Sequence, residues 1–190
     1  MAKANKDCKI IGIDIAEKVI EQNSIRADEE QIHNLSFCSF DGITYPFEEE
    51  SINVITTRYA FHHFPDVRAA LKQFAGLLCL NGKILISDPV RNSEDKNRII
   101  DRFMKVKKDG HVGFYTQEEI TSLFSEYGIC LTESGLTNMK FQFPQKQEYL
   151  ELFDTLSDDE KAMCNIYKKD NIVWIGNIEV ANILFEKMTA

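Results

Sequence analysis

Cysteine is sparse and unpatterned in this sequence: five residues (Cys8, Cys38, Cys79, Cys130, Cys164), odd in number and never spaced as CxxC. That excludes a disulfide framework and a structural zinc site, and small buried thiols are the simpler reading. Long apolar runs are missing as well. The stretch Ile10 to Ile13 is too short for the core of a signal peptide, and nothing approaches the length of a membrane span. A cytoplasmic protein without a membrane partner is therefore expected. Positive charge is in deficit, with 22 basic against 30 acidic residues and a net charge of −8. The basic tracts "KVKK" (105–108) and "YKK" (167–169) are short, so no nucleic-acid partner is expected. GxGxxG, GxSxG, HExxH and Walker A motifs are all absent.

What is present alternates. Lys9 to Ile13 is a continuous apolar run ahead of a helical stretch from Glu17 to Asp28, and Leu35 to Phe40 alternates as a strand. Ile52 to Thr57 is a further β-rich run. A helix is expected from Asp66 to Leu80, with Val67, Leu71, Phe74, Leu77 and Leu78 at helical spacing and Asn81-Gly82 as its left-handed stop. Lys83 to Ser87 reads as a strand. The order β-α-β-β-α-β predicts an α/β fold built on an open, mostly parallel sheet. Beyond Pro89 the spacing predicts helices over 93–107 and 116–127, a strand over 129–136, helices over 145–155 and 157–168, and a last strand over 177–185. Thr116 with Glu119 and Ser157 with Glu160 have capping-box spacing. With no repeat or long linker, 1–190 reads as one domain: 1–89 the sheet, 90–175 a helical cap and 176–190 the final strand.

In open α/β sheets ligands bind beyond the carboxyl ends of the strands. Four such ends carry polar residues here: Asp14, Asp41-Gly42, Thr57-Arg58 and Asp88. A carboxylate can accept both hydroxyls of a ribose, but Asp14 could equally cap the following helix. Asp41-Gly42 fits either an adenine amino group or a plain turn. "FHHF" (61–64) invites a catalytic or metal reading, yet adjacent histidines diverge and no third ligand has recognisable spacing. No metal is therefore expected, and one imidazole is expected to pack against the sheet top while the other lines the cleft. The aromatic residues Phe141, Phe143, Tyr149, Phe153 and Trp174 fit a greasy pocket or, more simply, core.

Taken together, "IIGIDIAEKVIEQ" from Ile10, Ser36 to Pro89 with "FDGITYPF" and "YAFHHFPD", and Asp101 to Ile129 resemble class I S-adenosylmethionine-dependent methyltransferases. The nearest type is the branch of the ubiquinone and menaquinone C-methyltransferases. The resemblance implies a Rossmann-like sheet, S-adenosylmethionine as cofactor and a small-molecule methyl acceptor. It further implies that Asp14, with Ile15, holds the ribose, and that Asp41, Gly42 and Ile43 lie beside the adenine. Thr57 and Arg58 match positions near the methionine part. His63 would stand at the cleft edge, with His111 and Tyr115 in a cap over the substrate. No catalytic residue is implied; His63 and His111 are the candidates if a base is needed.

The family's first strand and glycine-rich turn have no counterpart ahead of Lys3-Ala4-Asn5-Lys6, which reads as the end of a helix. The expected fold is thus truncated at its N-terminus, with half the cofactor cradle missing. The strands on either side would close up, take a strand from another chain, or be covered or swapped in a homodimer. The alternative function is a non-catalytic member of the fold acting as an interaction or regulatory protein.

Overall fold

The computed structural model describes residues 1–188, so positions 189 and 190 of the expected last strand lie outside the described residues. The chain forms two compact units, Met1–Glu48 and a second from Glu49 on.

In the first unit, β1 (Ile10–Asp14) pairs in parallel with β2 (Leu35–Ser39), from Ile10 opposite Leu35 to Asp14 opposite Ser39. The crossover is α1 (Glu17–Glu29). Parallel strands need such a connection, since a tight hairpin cannot reverse the chain twice. Gly12 is required where it stands: a Cβ there would come within 2.6 Å of the Phe37 ring across the ladder. The Asn34 side-chain amide donates to the carbonyls of Ala2, Asn5 and Cys8, fastening the N-terminal segment. That segment contains one 3-10 turn, Ala2–Ala4, where the end of a helix was expected.

The second unit is built on β3 (Ile52–Arg58), β4 (Leu78–Pro89), β5 (Ile129–Gln142), β6 (Ile166–Lys169) and β7 (Ile172–Lys187). The sheet runs β3-β4-β7-β5, with β6 also on β7. Only β3 and β4 are parallel there; β7 is antiparallel to β4, β5 and β6. The expectation of a mostly parallel sheet is therefore corrected: the late strands return on β7 rather than by crossover helices. Among the described residues β1 pairs with β2 alone and β3 with β4 alone.

Between β3 and β4 lies α2 (Val67–Leu77), started by Asp66, whose Oδ1 accepts the Ala69 N–H at 2.9 Å. Val67, Ala70, Leu71, Phe74 and Leu77 form its buried face. The helix ends three residues early, and Asn81 rather than Gly82 takes the left-handed conformation, at φ 61° inside β4. The predicted helix over 93–107 shrinks to α3 (Ile99–Lys105). Asn92 and Asp95 accept backbone N–H groups of Glu94, Ile99 and Ile100, which holds the polar stretch in turns and starts the helix late.

Both capping boxes form, at α4 (Gln117–Ser125) and α6 (Asp158–Met163), and α5 (Gln147–Asp154) lies between them. The helix expected to reach Lys168 stops at Met163, and residues 166–169 are strand β6 instead. Asp170 and Asn171, both at positive φ, make a two-residue hairpin into β7. Such a turn matches the twist of paired strands, so it wins over helical propensity. Two sets of side chains fill the unit. Leu71, Leu78, Ile84, Ile86, Phe124, Ile129, Ile183 and Phe185 are fully buried. Ile99, Phe103, Phe114, Phe143, Tyr149 and Ile175 form the other cluster, so Phe143 and Tyr149 are core. No helix among the described residues is long and apolar enough to cross a membrane.

Candidate functional site

Within the first unit, the carboxyl ends of β1 and β2 bring together five of the residues singled out in the sequence. The Asp14 Oδ1 accepts the Ala16 N–H at 2.8 Å, and its other oxygen makes no hydrogen bond among the described residues. The residue that caps α1 is Ala16, without a side-chain bond, so Asp14 is not the cap. Asp41 Oδ1 accepts from Ile43 N at 2.8 Å and Thr44 N at 2.6 Å. Those N–H groups, Thr44's first, hold the exposed carboxyl below the ordinary aspartate value. Gly42 makes the turn at φ 81°, and a Cβ on it would sit 3.3 Å from Ile15 Cγ2. Ile15 is 66% exposed and Ile43 73%, an unusual placement for two large apolar residues beside two carboxylates.

In the second unit, Thr57 and Arg58 end β3. The Thr57 hydroxyl is buried with no hydrogen-bond partner. Arg58 lies over the Tyr59 ring at 4.9 Å, and Tyr59 turns the chain at φ 53° while donating its N–H to Ser87 O. Phe61–His63 then form a 3-10 turn after Ala60, and its first two N–H groups are taken by Asp88 from the end of β4. The two Asp88 oxygens accept the N–H groups of Phe61 and His62, both at 3.2 Å, and Oδ2 lies 2.8 Å from His62 Nδ1.

Three imidazoles gather at this turn. His63 is 4.1 Å from His62 between ring centroids, and His111 is 5.3 Å from His62. The segment carrying His111 is tied down by Val112 and Gly113, whose N–H groups donate to His62 O. His111 Nε2 lies 2.7 Å from Asp101 Oδ1 on α3. Asp101 also accepts the Phe114 N–H at 2.9 Å and pairs with Arg98 Nε at 2.7 Å. Burial pushes the Asp101 carboxyl up, but His111, the Phe114 N–H and the Arg98 charge together hold it below its ordinary value. His63 Nδ1 is buried without a partner. Tyr115 packs on Phe61 at 5.7 Å, and burial raises its phenol.

His63 and His111 are thus brought into one cluster, with Tyr115 one aromatic contact away. The sequence reading assigns His62 no role of its own within "FHHF", names Asp88 only as a strand end, and does not pick out Asp101. A carboxylate at a strand's carboxyl end was a usable signal for Asp88; Asp101 sits inside a helix with nothing local to mark it. Among the described residues no three His, Cys, Asp or Glu side chains converge as metal ligands would. A cavity of about 430 Å³ opens elsewhere in the same unit, lined by Arg91, Gln117, Met163, Cys164 and Glu179, among others. None of the residues singled out above lines it, and burial pushes the Cys164 thiol up to about 12.

Residues 1–155 match the family model described as a methyltransferase domain. Over 157 residues the chain is 27% identical to the uncharacterized methyltransferase YcgJ of Bacillus subtilis (strain 168), covering 80% of this chain and 60% of that protein. A second match, 30% identical over 77 residues, covers 40% of this chain and 31% of the demethylmenaquinone methyltransferase of Lactococcus lactis subsp. lactis (strain IL1403). The chain therefore spans less than two thirds of the length of either relative. The crystal structure of Bacillus subtilis YcgJ shares the fold, with a TM-score of 0.84 at 23% identity over 95% of this chain and 82% of that one. The sheet is the Rossmann-like one of the methyltransferases, and with most of its length matched by the family model the chain belongs to the methyltransferase-domain family.

Proposed function

We propose that this chain serves S-adenosylmethionine-dependent methyl transfer to a small-molecule acceptor. The observation that carries the reading is the pairing of Asp14 and Asp41 with the exposed Ile15 and Ile43 at the ends of two parallel strands. An adenosine is a flat apolar ring with a diol on one side and an amino group on another. Asp14 offers an unengaged oxygen to the ribose hydroxyls, a carboxylate being acceptor-only. Asp41, fixed by two backbone N–H groups, offers its second oxygen to the adenine amino group. Ile15 and Ile43 offer the ring an apolar surface, and Gly42 keeps a Cβ out of it. The residues present therefore fit the nucleoside part.

In the second unit, taken by itself, the unpartnered Thr57 hydroxyl and the Arg58 guanidinium at the end of β3 offer polar partners for an amino-acid moiety. Within the second unit, His63 and Tyr115 are assigned to the acceptor, with His111 in the same cluster, its side chain 2% exposed. When bound, S-adenosylmethionine supplies a methyl already activated on a sulfonium. The chain's own task is then alignment and exclusion of water.

Isothermal titration of the full chain with S-adenosylmethionine tests the reading. Binding in the micromolar range is expected. Silence up to millimolar cofactor would overturn it and favour the non-catalytic alternative.

A further inference from the structure

The cavity of about 430 Å³ in the second unit takes no part in the function proposed above, and none of the residues assigned there lines it. We propose that this cavity is a binding site for a small organic amine, a hydrocarbon carrying one ammonium group, separate from the residues assigned to methyl transfer.

The floor is built where four elements meet. Ile100 of α3, Cys164 at the end of α6, Ile178 of β7 and Val90 after β4 all line it, each 6% exposed or less. Ile100, Cys164 and Ile178 also belong to the packed cluster around Phe103 and Tyr149, so the hollow is held by core elements. Met163 and the half-exposed Leu136 carry the apolar wall up to the rim. An apolar floor under a few polar groups, in a volume of several hundred Å³, is the usual form of a small-molecule site.

Charge decides what the site takes. Its charged lining side chains are Arg91, Glu118 and Glu179. Arg91 is answered already: the guanidinium donates to Glu119 Oε1 at 2.8 Å and to the carbonyls of Asn92 and Asp95 at 3.4 Å. Its Nε is buried without a partner, closed to water and to a ligand alike. Glu118, in the first turn of α4, and Glu179, on β7, are exposed and pair with no cation among the described residues. Two unanswered negative charges therefore stand over the apolar floor. The Cys164 thiol feels the same sign: burial first, then the Asp95 and Glu160 charges, push it up to about 12. A field that holds a proton on sulfur attracts an ammonium and repels a carboxylate. An ammonium is donor-only and needs acceptors. Besides the two carboxylates it would find the Gln117 side-chain carbonyl, whose amide nitrogen is already given to Ser134 Oγ at 3.3 Å. A neutral alcohol of the same length gains the floor but not the charges.

The probe is hexylamine, with hexanol and hexanoate as neutral and anionic controls, titrated into the full chain by saturation-transfer NMR. Hexylamine is expected to bind with a Kd of about 1 mM, ordinary for so small a ligand. Hexanol should bind several-fold more weakly and hexanoate not at all. Glu118→Gln and Glu179→Gln should each raise the hexylamine Kd roughly fivefold, the upper end for an exposed charge pair, and the double variant should bring the amine down to the alcohol's level. Leu136→Trp, at the rim, should weaken amine and alcohol alike. Melting temperatures show that each variant is folded. Silence of hexylamine up to about 10 mM would overturn the proposal, as would hexanoate binding equal to that of the amine. So would a folded double variant, or a folded Leu136→Trp chain, that binds hexylamine as wild type does. No methyl donor enters this titration, so its failure leaves the methyltransferase reading standing, and failure of the cofactor titration leaves the amine site standing.

Discussion

The two units of this chain carry similar sequence signals and very different interiors. β1, with Ile10, Ile11 and Ile13, and β4, with Ile84, Leu85 and Ile86, are both continuous apolar runs. In β4, Ile84 and Ile86 are completely buried; in β1 every residue is half-buried. In residues 1–48 only Ala2 and Ala27 are buried apolar side chains, whereas the second unit holds large aromatic and aliphatic ones at zero exposure. A two-stranded sheet cannot build a core of its own, while four or five strands with helices can. The lesson is a division of labour: the first unit leaves its conspicuous side chains exposed, and the second unit's face inward, toward stability.

The sharpest way to break that comparison is by truncation in the second unit. Phe124 is fully buried and stacks on Phe185 at 4.2 Å. Phe124→Ala is expected to cost about 3–5 kcal/mol in urea unfolding, the usual range for a large aromatic removed from a packed core. In the first unit Ile25, 52% exposed, should give a change within about 0.5 kcal/mol on truncation to Ala. Equal losses at the two positions would erase the distinction.

Acid should act on the second unit through Asp101. Its folded carboxyl titrates below the ordinary value of 3.8. Asp101 therefore contributes stability that is complete above that value and is lost as pH falls through the lower folded one. Urea midpoints measured from about pH 6 down to about pH 2 should fall for wild type and fall less steeply for Asp101→Asn. Parallel curves would show that the His111–Asp101–Arg98 arrangement holds no such linkage.

For the first unit the expected loss is in binding rather than stability. Asp14→Asn should weaken S-adenosylmethionine binding by roughly ten- to a hundredfold in titration calorimetry, the worth of hydrogen bonds to a charged acceptor, with an unchanged melting temperature. Asp41→Asn should act in the same direction. A melting temperature that falls with no change in affinity would make Asp14 a structural residue and reverse the comparison.

Legibility in the sequence followed the range of the interaction responsible. Local signals were sufficient for β1, α1, β2, the Thr116 and Ser157 capping boxes and the strand-end positions of Asp14, Asp41 and Thr57. Signals at a distance were not. Nothing near Ile166 says that it will pair with Ile175 across a two-residue turn. Nothing near Asp101 says that His111, ten residues on, will fold back to it. The antiparallel half of the sheet was misread for the same reason, since alternation identifies a strand but not its direction. His62 was hidden by its neighbour: two adjacent histidines cannot both follow one local rule, and only Asp88, 26 positions away, distinguishes them.

The smallest expected effect is the most discriminating. Ile15 lies 66% exposed beside Gly42, and an exposed isoleucine contributes little to folding. If its side chain is there for an adenine ring, Ile15→Ala removes apolar area that only the ligand would have covered, worth about 1 kcal/mol or roughly a fivefold rise in Kd. Stability should meanwhile stay within about 0.5 kcal/mol of wild type. A core residue cannot give that combination, because its loss is felt by the fold before it is felt by a ligand. Unchanged affinity for Ile15→Ala would leave the exposed isoleucines without a ligand to explain them and return Asp14 to the role of a turn residue.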